Sequence, residues 1–237
     1  MKEYRFFYVP DVNEVNELPE DEAMHAVKVL RMANGDEMVL ADGKGAFYNA
    51  VVKEINKRHC YFEILEKLPQ DKGWGNNIHI AVAPTKNIDR IEWFAEKATE
   101  IGFDEMTFLN CRFSERRVIN KDRIERIVVS AFKQSRKSVM PILNEMTKFE
   151  DFVTRQFTGG KFICHCYEES DLGDKVLLQD ALSDVDDAVV LVGPEGDFSI
   201  DEVKLALANG FKSVSLGNSR LRTETAALVA VHLMRLK

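Results

Sequence analysis

The sequence predicts an α/β protein in two parts, a small strand-rich region followed by a mainly parallel sheet with helices on both faces. Three observations carry this. The first seventy or so residues are short β-like runs separated by turn formers. The stretch LPQDKGWGNN loses all periodicity. Beyond it, short apolar strands alternate with helices, the pattern of a parallel sheet covered on both sides. With 237 residues, 45% of them hydrophobic, the chain can fill a substantial core.

The strand-like runs of the first part are RFFYV, EMVLAD, AFYNAVVKEI and HCYFEILEKL, with Asn34-Gly35-Asp36 and Asp42-Gly43-Lys44-Gly45 as tight-turn signals. A small β-barrel is the natural way to close them. Ala23, Val27 and Leu30 fall at helical spacing and predict one helical turn from Glu22 to Leu30. The boundary is placed near Gly73, giving domains 1–72 and 73–237. The second domain reads as strand NIHIAVAP, helix IDRIEWFAEKATEIG, strand MTFLN, a helix from about Lys121 to Ser138, strands KFICHCY and DAVVLVG, helix IDEVKLALANG, strand FKSVSLG and helix TETAALVAVHLMRL.

The amino-terminal stretch lacks a basic segment followed by an apolar run, and no stretch approaches the roughly 18 apolar residues of a membrane span. The expectation is a cytoplasmic protein with no membrane partner. Cys60, Cys111, Cys164 and Cys166 are too few and too unevenly spaced for a disulfide framework. Cys164-His165-Cys166 lacks a second ligand pair to complete a tetrahedral zinc site, so a buried strand is expected there and no metal. The net charge of −7 argues against nucleic acid, but between Arg112 and Lys137 nine basic residues face three acidic ones. That segment is either a solvated face or the footprint of an anionic partner.

Two loops carry candidate chemistry. In the first, the apolar run Val189 to Val192 enters the turn Gly193-Pro194-Glu195-Gly196. A helix then follows, specified by Ser199 as N-cap, Glu202 as its capping-box partner, a Phe198–Val203 staple and Gly210 as terminator. The two glycines let a backbone approach a flat ligand recognised through main-chain groups, although a plain tight turn is equally compatible. In the second, Ser215 to Thr225 again runs strand, turn, helix, and the helix is apolar almost all round. Arg220 and Arg222 beside so apolar a helix are costly unless they meet anions. Neither a dinucleotide-binding glycine motif nor a P-loop is present.

Taken together, Leu191-Val192-Gly193-Pro194-Glu195-Gly196 with Phe198-Ser199, and Leu216-Gly217 with Leu221-Arg222-Thr223-Glu224-Thr225-Ala226, resemble the paired loops of RsmE-type ribosomal RNA uridine-N3-methyltransferases. The resemblance extends to Asp89-Arg90, Lys97 to Gly102, Gln134-Ser135 and Pro141. In the first domain His25, Val29-Leu30-Arg31, Gly35-Asp36, Asp42-Gly43 and Gly45 match a PUA-like RNA-binding barrel. It implies a carboxy-terminal SPOUT domain with a trefoil knot, a homodimer, and 16S ribosomal RNA or the small subunit as partner. It also implies S-adenosylmethionine held by Leu191, Val192, Gly193, Pro194, Glu195, Gly196, Leu216, Gly217, Asn218, Leu221, Arg222 and Thr223.

Three positions depart from the family pattern: Asp197 stands where a second glycine is usual, Lys133 where an acidic residue is usual, and Arg220 follows Ser219, where the arginine usually lies. The reaction implied needs no metal, since alignment and electrostatics are the enzyme's task. Arg222 is the candidate for stabilising charge on the base, and Glu224 for orienting it or taking the proton. Arg5, Lys28, Arg31, Arg112, Arg116, Arg117, Arg123, Lys137 and Arg220 are the candidate RNA contacts. Ribose 2′-O-methylation and non-catalytic RNA binding are the rival readings.

Overall fold

The computed structural model describes residues 5–168, 172 and 174–237. The chain divides into two compact units, Met1–Trp74 with Phe132–Met140, and Gly75–Ala131 with Pro141–Lys237.

In the first unit, β1 (Phe6–Tyr8), β2 (Glu37–Ala41), β3 (Ala46–Asn56) and β4 (His59–Pro69) form one mixed sheet in that order. β1 pairs parallel with β2, and the other pairs are antiparallel. The pairing continues past β4, because Phe62 N–H donates to Asn16 O (2.8 Å) and Leu18 N–H to Cys60 O (2.9 Å). Residues 16–18 thus act as a minimal fifth strand on that edge. Phe7, Met38, Leu40, Tyr48, Val52 and Cys60 alternate inward along the strands and are buried. The expected helical turn is α1 (Glu20–Met24) continued by a π-helical turn, His25–Val29, with Ala23 and Ala26 facing the core.

The segment Phe132–Met140 completes this unit. The Phe132 ring lies 5.4 Å from that of Tyr8, and Lys133 Nζ is 2.6 Å from Oε1 of the buried Glu22. The base that departs from the family pattern therefore has its own acid. The helix expected to reach Ser138 stops at Gln134, where Arg136 turns left-handed at φ 51°. Its last residues instead pair with the β2–β3 turn, through Gly45 N–H to Ser138 O (3.0 Å) and Met140 N–H to Gly43 O (2.9 Å).

The second unit holds β5 (Ile78–Val82), α2 (Ile88–Ile101), β6 (Glu105–Asn110), most of α3 (Lys121–Gln134), β7 (Ile142–Leu143), β8 (Thr147–Lys148), α4 (Phe149–Val153), β9 (Gly160–Cys164), β10 (Val176–Leu177), α5 (Leu178–Ala181), β11 (Ala188–Val192), α6 (Ile200–Ala208), β12 (Lys212–Ser215) and α7 (Thr223–Arg235). The sheet runs β10-β12-β9-β11-β5-β6-β7, with β8 also on β6, and every pair is parallel. β5 and β11, in the middle, are buried at every residue, which is why they read as unbroken apolar runs. β9 ends at Cys164, short of the expected Tyr167, so His165 and Cys166 belong to the loop beyond it. The capping box at Ser199 and Glu202 forms as expected.

Candidate functional site

Parallel strands deliver their following loops to one edge of the sheet, where ligands of such folds collect. Here those loops follow β5 (83–87), β6 (111–117), β11 (193–198) and β12 (216–222). Thr223 Oγ1, at the start of α7, donates to Gly193 O at 3.0 Å in a buried contact. That bond joins the two glycine-bearing loops across thirty residues of sequence.

The first loop is rigid. Leu191 and Val192 end a buried strand, Gly193 and Pro194 are buried, and Glu195 and Gly196 are exposed. A Cβ on Gly193 would lie 3.0 Å from Phe198 N, so this glycine lets the loop close on itself. Asp197 sits at φ 66°, a conformation that favours glycine. Its carboxylate is spent on the main chain, accepting from Cys166 N–H (2.7 Å) and Phe198 N–H (2.7 Å). Burial, and then the Asp197 carboxylate, push the Cys164 thiol up to about 12. Beside it His165 is buried with Nε2 2.9 Å from Ser213 Oγ, and burial lowers its pKa to about 4. Neither a thiolate nor an imidazolium faces this loop at neutral pH.

The second loop is open. Gly217 adopts φ 111°, and a Cβ there would meet nothing within 4 Å. Asn218, Ser219, Arg220 and Arg222 are exposed, while Leu216 and Leu221 are half-buried. Among the described residues, no main-chain N–H from Asn218 to Arg222 has a protein acceptor. Unspent main-chain donors beside free space, facing a rigid loop, fit a ligand held by backbone hydrogen bonds, as the expected cofactor would be.

Arg222 is the N-cap residue of α7 and pairs with no carboxylate among the described residues. Among the described residues no hydrogen bond or ion pair joins Glu224 to Arg222. Glu224 is buried, its Oε1 lies 3.6 Å from Arg90 Nη1, and its Oε2 has no hydrogen-bond partner. The Arg90–Glu224 pair unites two helix starts far apart in sequence, and no local pattern signals it.

The candidate RNA contacts divide into spent and unspent cations. Arg112 pairs with Asp201 (3.1 Å), and Arg123 Nη2 donates to Glu92 Oε2 (2.8 Å). Arg116 donates Nε to Thr85 O (3.1 Å) and Nη2 to Lys86 O (2.6 Å). Arg117 reaches only the Ser114 carbonyl, at 3.4 Å, and has no carboxylate partner among the described residues. With Arg112 and Lys148 it lines a cleft of about 670 Å³ whose other walls include Glu150 and Asp201. In the first unit Arg5 pairs with Asp36, Lys137 Nζ lies 5.9 Å from the Trp74 ring centroid, and Lys28 and Arg31 are exposed. Arg220 is exposed near Cys166.

Comparison with known proteins gives the family and the fold. Residues 73–235 match the model of the RNA methyltransferase domain, and residues 18–65 that of the RNA methyltransferase PUA domain. The chain is 30% identical over 224 residues to the ribosomal RNA small subunit methyltransferase E of Rickettsia conorii, covering 93% of this chain and 89% of that one. Among solved structures it superposes on a probable rRNA-methyltransferase from Porphyromonas gingivalis with a TM-score of 0.87 and 41% identity, over 96% and 95% of the two chains. It superposes on the ribosomal RNA small subunit methyltransferase E of Neisseria gonorrhoeae, bound to S-adenosyl methionine, with a TM-score of 0.84 and 26% identity over 98% and 97%.

Proposed function

We infer, for a chain that belongs to the ribosomal RNA small subunit methyltransferase E family of RNA methyltransferases, that its two joined loops hold S-adenosylmethionine against N3 of a uridine in 16S ribosomal RNA. The observation that carries this is the Thr223–Gly193 hydrogen bond, which makes one site of a rigid loop and an open one. Leu191 to Gly196, Leu216 to Asn218, and Leu221 to Thr223 are the holding residues, acting mainly through main-chain groups. The bound cofactor supplies an already activated methyl group.

The protein's work is alignment and charge. N3 gives up its proton to solvent water, which the exposed second loop admits, as it takes the methyl group, and the negative charge this leaves on the base is shared by the flanking carbonyl oxygens. Arg222, exposed and unspent, stabilises that charge. Glu224, buried at the start of α7, pairs with Arg90 at the start of α2 and so holds the two helix starts together. N3 lies on the pairing edge of uracil, so the target base must be unpaired or drawn out of its stack. A ribosomal RNA substrate favours a cytoplasmic site of action. Arg117 and Arg220, with Lys28 and Arg31 on the PUA-like unit, are the cations left to meet phosphate.

Two further features complete this reading. The knot follows from the family reading, and the insertion of β11 between β9 and β5 is compatible with it. The homodimer is favoured by Trp93, 43% exposed on the otherwise charged α2, and by Leu228, Val229 and Leu233, which stay partly exposed on the mainly apolar α7.

A calorimetric titration with S-adenosylmethionine tests the site. Wild-type protein is expected to bind, and Gly217→Ala to lose about tenfold or more in affinity, because holding a side chain at φ 111° costs about 1–3 kcal/mol. Equal affinity in a folded Gly217→Ala protein would remove the second loop from the site.

A further inference from the structure

The loop after β6 touches the first glycine-bearing loop at Phe113 and, on either side of that contact, its two supports, the start of α6 and the 83–87 loop. At one end Arg112 N–H donates to Glu202 Oε1 (2.8 Å), and Glu202 also caps the helix start at Ser199. In the middle, the Cβ of Phe113 is 3.2 Å from where a Cβ on Gly196 would stand, so Phe113 packs on that turn. At the other end Glu115 pairs with Lys86 Nζ (2.8 Å), and Arg116 grips the carbonyls of Thr85 and Lys86. Lys86 in turn donates its main-chain N–H to Glu195 Oε1 at 2.9 Å. The chain of contacts thus runs from Arg116 through the Thr85–Lys86 main chain to Glu195.

We propose that Arg116 is a positioning residue for the cofactor and not an RNA contact: by fixing the 83–87 loop it fixes Glu195, and so the shape of the Gly193–Gly196 turn. The chemistry favours this division. A guanidinium with Nε and Nη2 both given to carbonyls of one turn is committed in geometry, and Arg116 is half-buried where its neighbour Arg117 is exposed. Lys86 cannot replace it, because Lys86 meets Glu195 through its main-chain N–H and therefore depends on how that backbone is held. The inference rests on the reading of this turn as part of the cofactor site.

The test compares Arg116→Ala, Arg116→Lys, Glu195→Gln and the double variant Arg116→Ala/Glu195→Gln, each checked for folding by circular dichroism. S-adenosylmethionine affinity is measured by calorimetry, and RNA affinity at several salt concentrations. Arg116→Ala is expected to weaken cofactor binding about tenfold, and Arg116→Lys to recover part of the loss by restoring one donor. The double variant should be no worse than the poorer single one, since both changes break the same chain of contacts. In steady state the KM for the cofactor should rise while that for RNA holds. The salt slope of RNA binding should match wild type. Unchanged cofactor affinity in Arg116→Ala, fully additive losses, or a salt slope reduced by about one unit would each overturn the proposal. Should Arg116→Ala fail to fold, Arg116→Lys and Glu195→Gln carry the same comparison. Wild-type protein that binds no S-adenosylmethionine would overturn the cofactor-site reading itself, an outcome distinct from a variant that binds normally.

Discussion

At Asp197 a carboxylate stands where the family pattern has glycine, and the structure gives the reason it is tolerated: the backbone is left-handed, and the side chain satisfies two neighbouring N–H groups. The sequence showed the departure but not its use, because the second donor, Cys166, comes from a different strand end. Lys133 is similar, its partner Glu22 lying far away in the chain. A buried strand was expected around His165, which is buried, but the environment of His79 was not legible. His79 on β5 is buried against Phe152 and Phe157, with Nε2 2.8 Å from Thr107 Oγ1. Burial lowers its pKa from 6.5 to about 4, with Arg155 adding to the shift and Glu105 opposing it. The unfolded chain therefore binds a proton that the folded chain refuses, so this contribution to stability is full above pH 6.5 and is lost as the pH falls toward 4. Thermal unfolding at pH 7 and pH 5 should show a loss of about 1–2 kcal/mol that His79→Gln reduces. A pH dependence as steep in His79→Gln as in wild type would contradict it.

Among elements, length decided what could be read. α2, α6 and α7, with β5, β6, β11 and β12, follow from periodicity and caps. β7, β8, β10, α4 and α5 have two to five residues each, too few to express a period, and their pairing is imposed by the sheet. The basic segment shows a different limit. Its surplus charge is real in sequence, yet Arg112, Lys121, Arg123 and Lys133 have carboxylate partners that lie outside the segment. Local counting cannot see such partners. The prediction for RNA binding accordingly narrows to single residues. Arg117→Gln should lower the salt slope by up to about one unit, while Arg123→Gln, whose guanidinium is held on Glu92, should leave it unchanged. Filter binding across salt concentrations decides, and a reversed ranking would place the RNA path along α3.

For the whole molecule, the two-part architecture and the paired loops were legible, the former from a change of pattern and the latter from motifs. Strand order was not. Nothing local in DAVVLVG says that β11 separates β9 from β5, and that insertion brings the Gly193 turn under the start of α7. Nor could the sequence show that Phe132–Met140 belongs with the first unit, since Phe132 to Gln134 end a helix that begins in the second. The central claim is that the site made by these long-range contacts transfers a methyl group to N3 of one uridine. Its most direct test is to incubate wild-type protein with isotopically labelled S-adenosylmethionine and small-subunit RNA, free and within the assembled subunit. The RNA is then digested and the labelled nucleoside identified by mass spectrometry. The account predicts label in 3-methyluridine at a single position, in at least one of the two substrates, strongly reduced in Arg222→Ala. Label in an alkali-resistant 2′-O-methyl linkage, or in neither substrate with bound cofactor demonstrated, would contradict it.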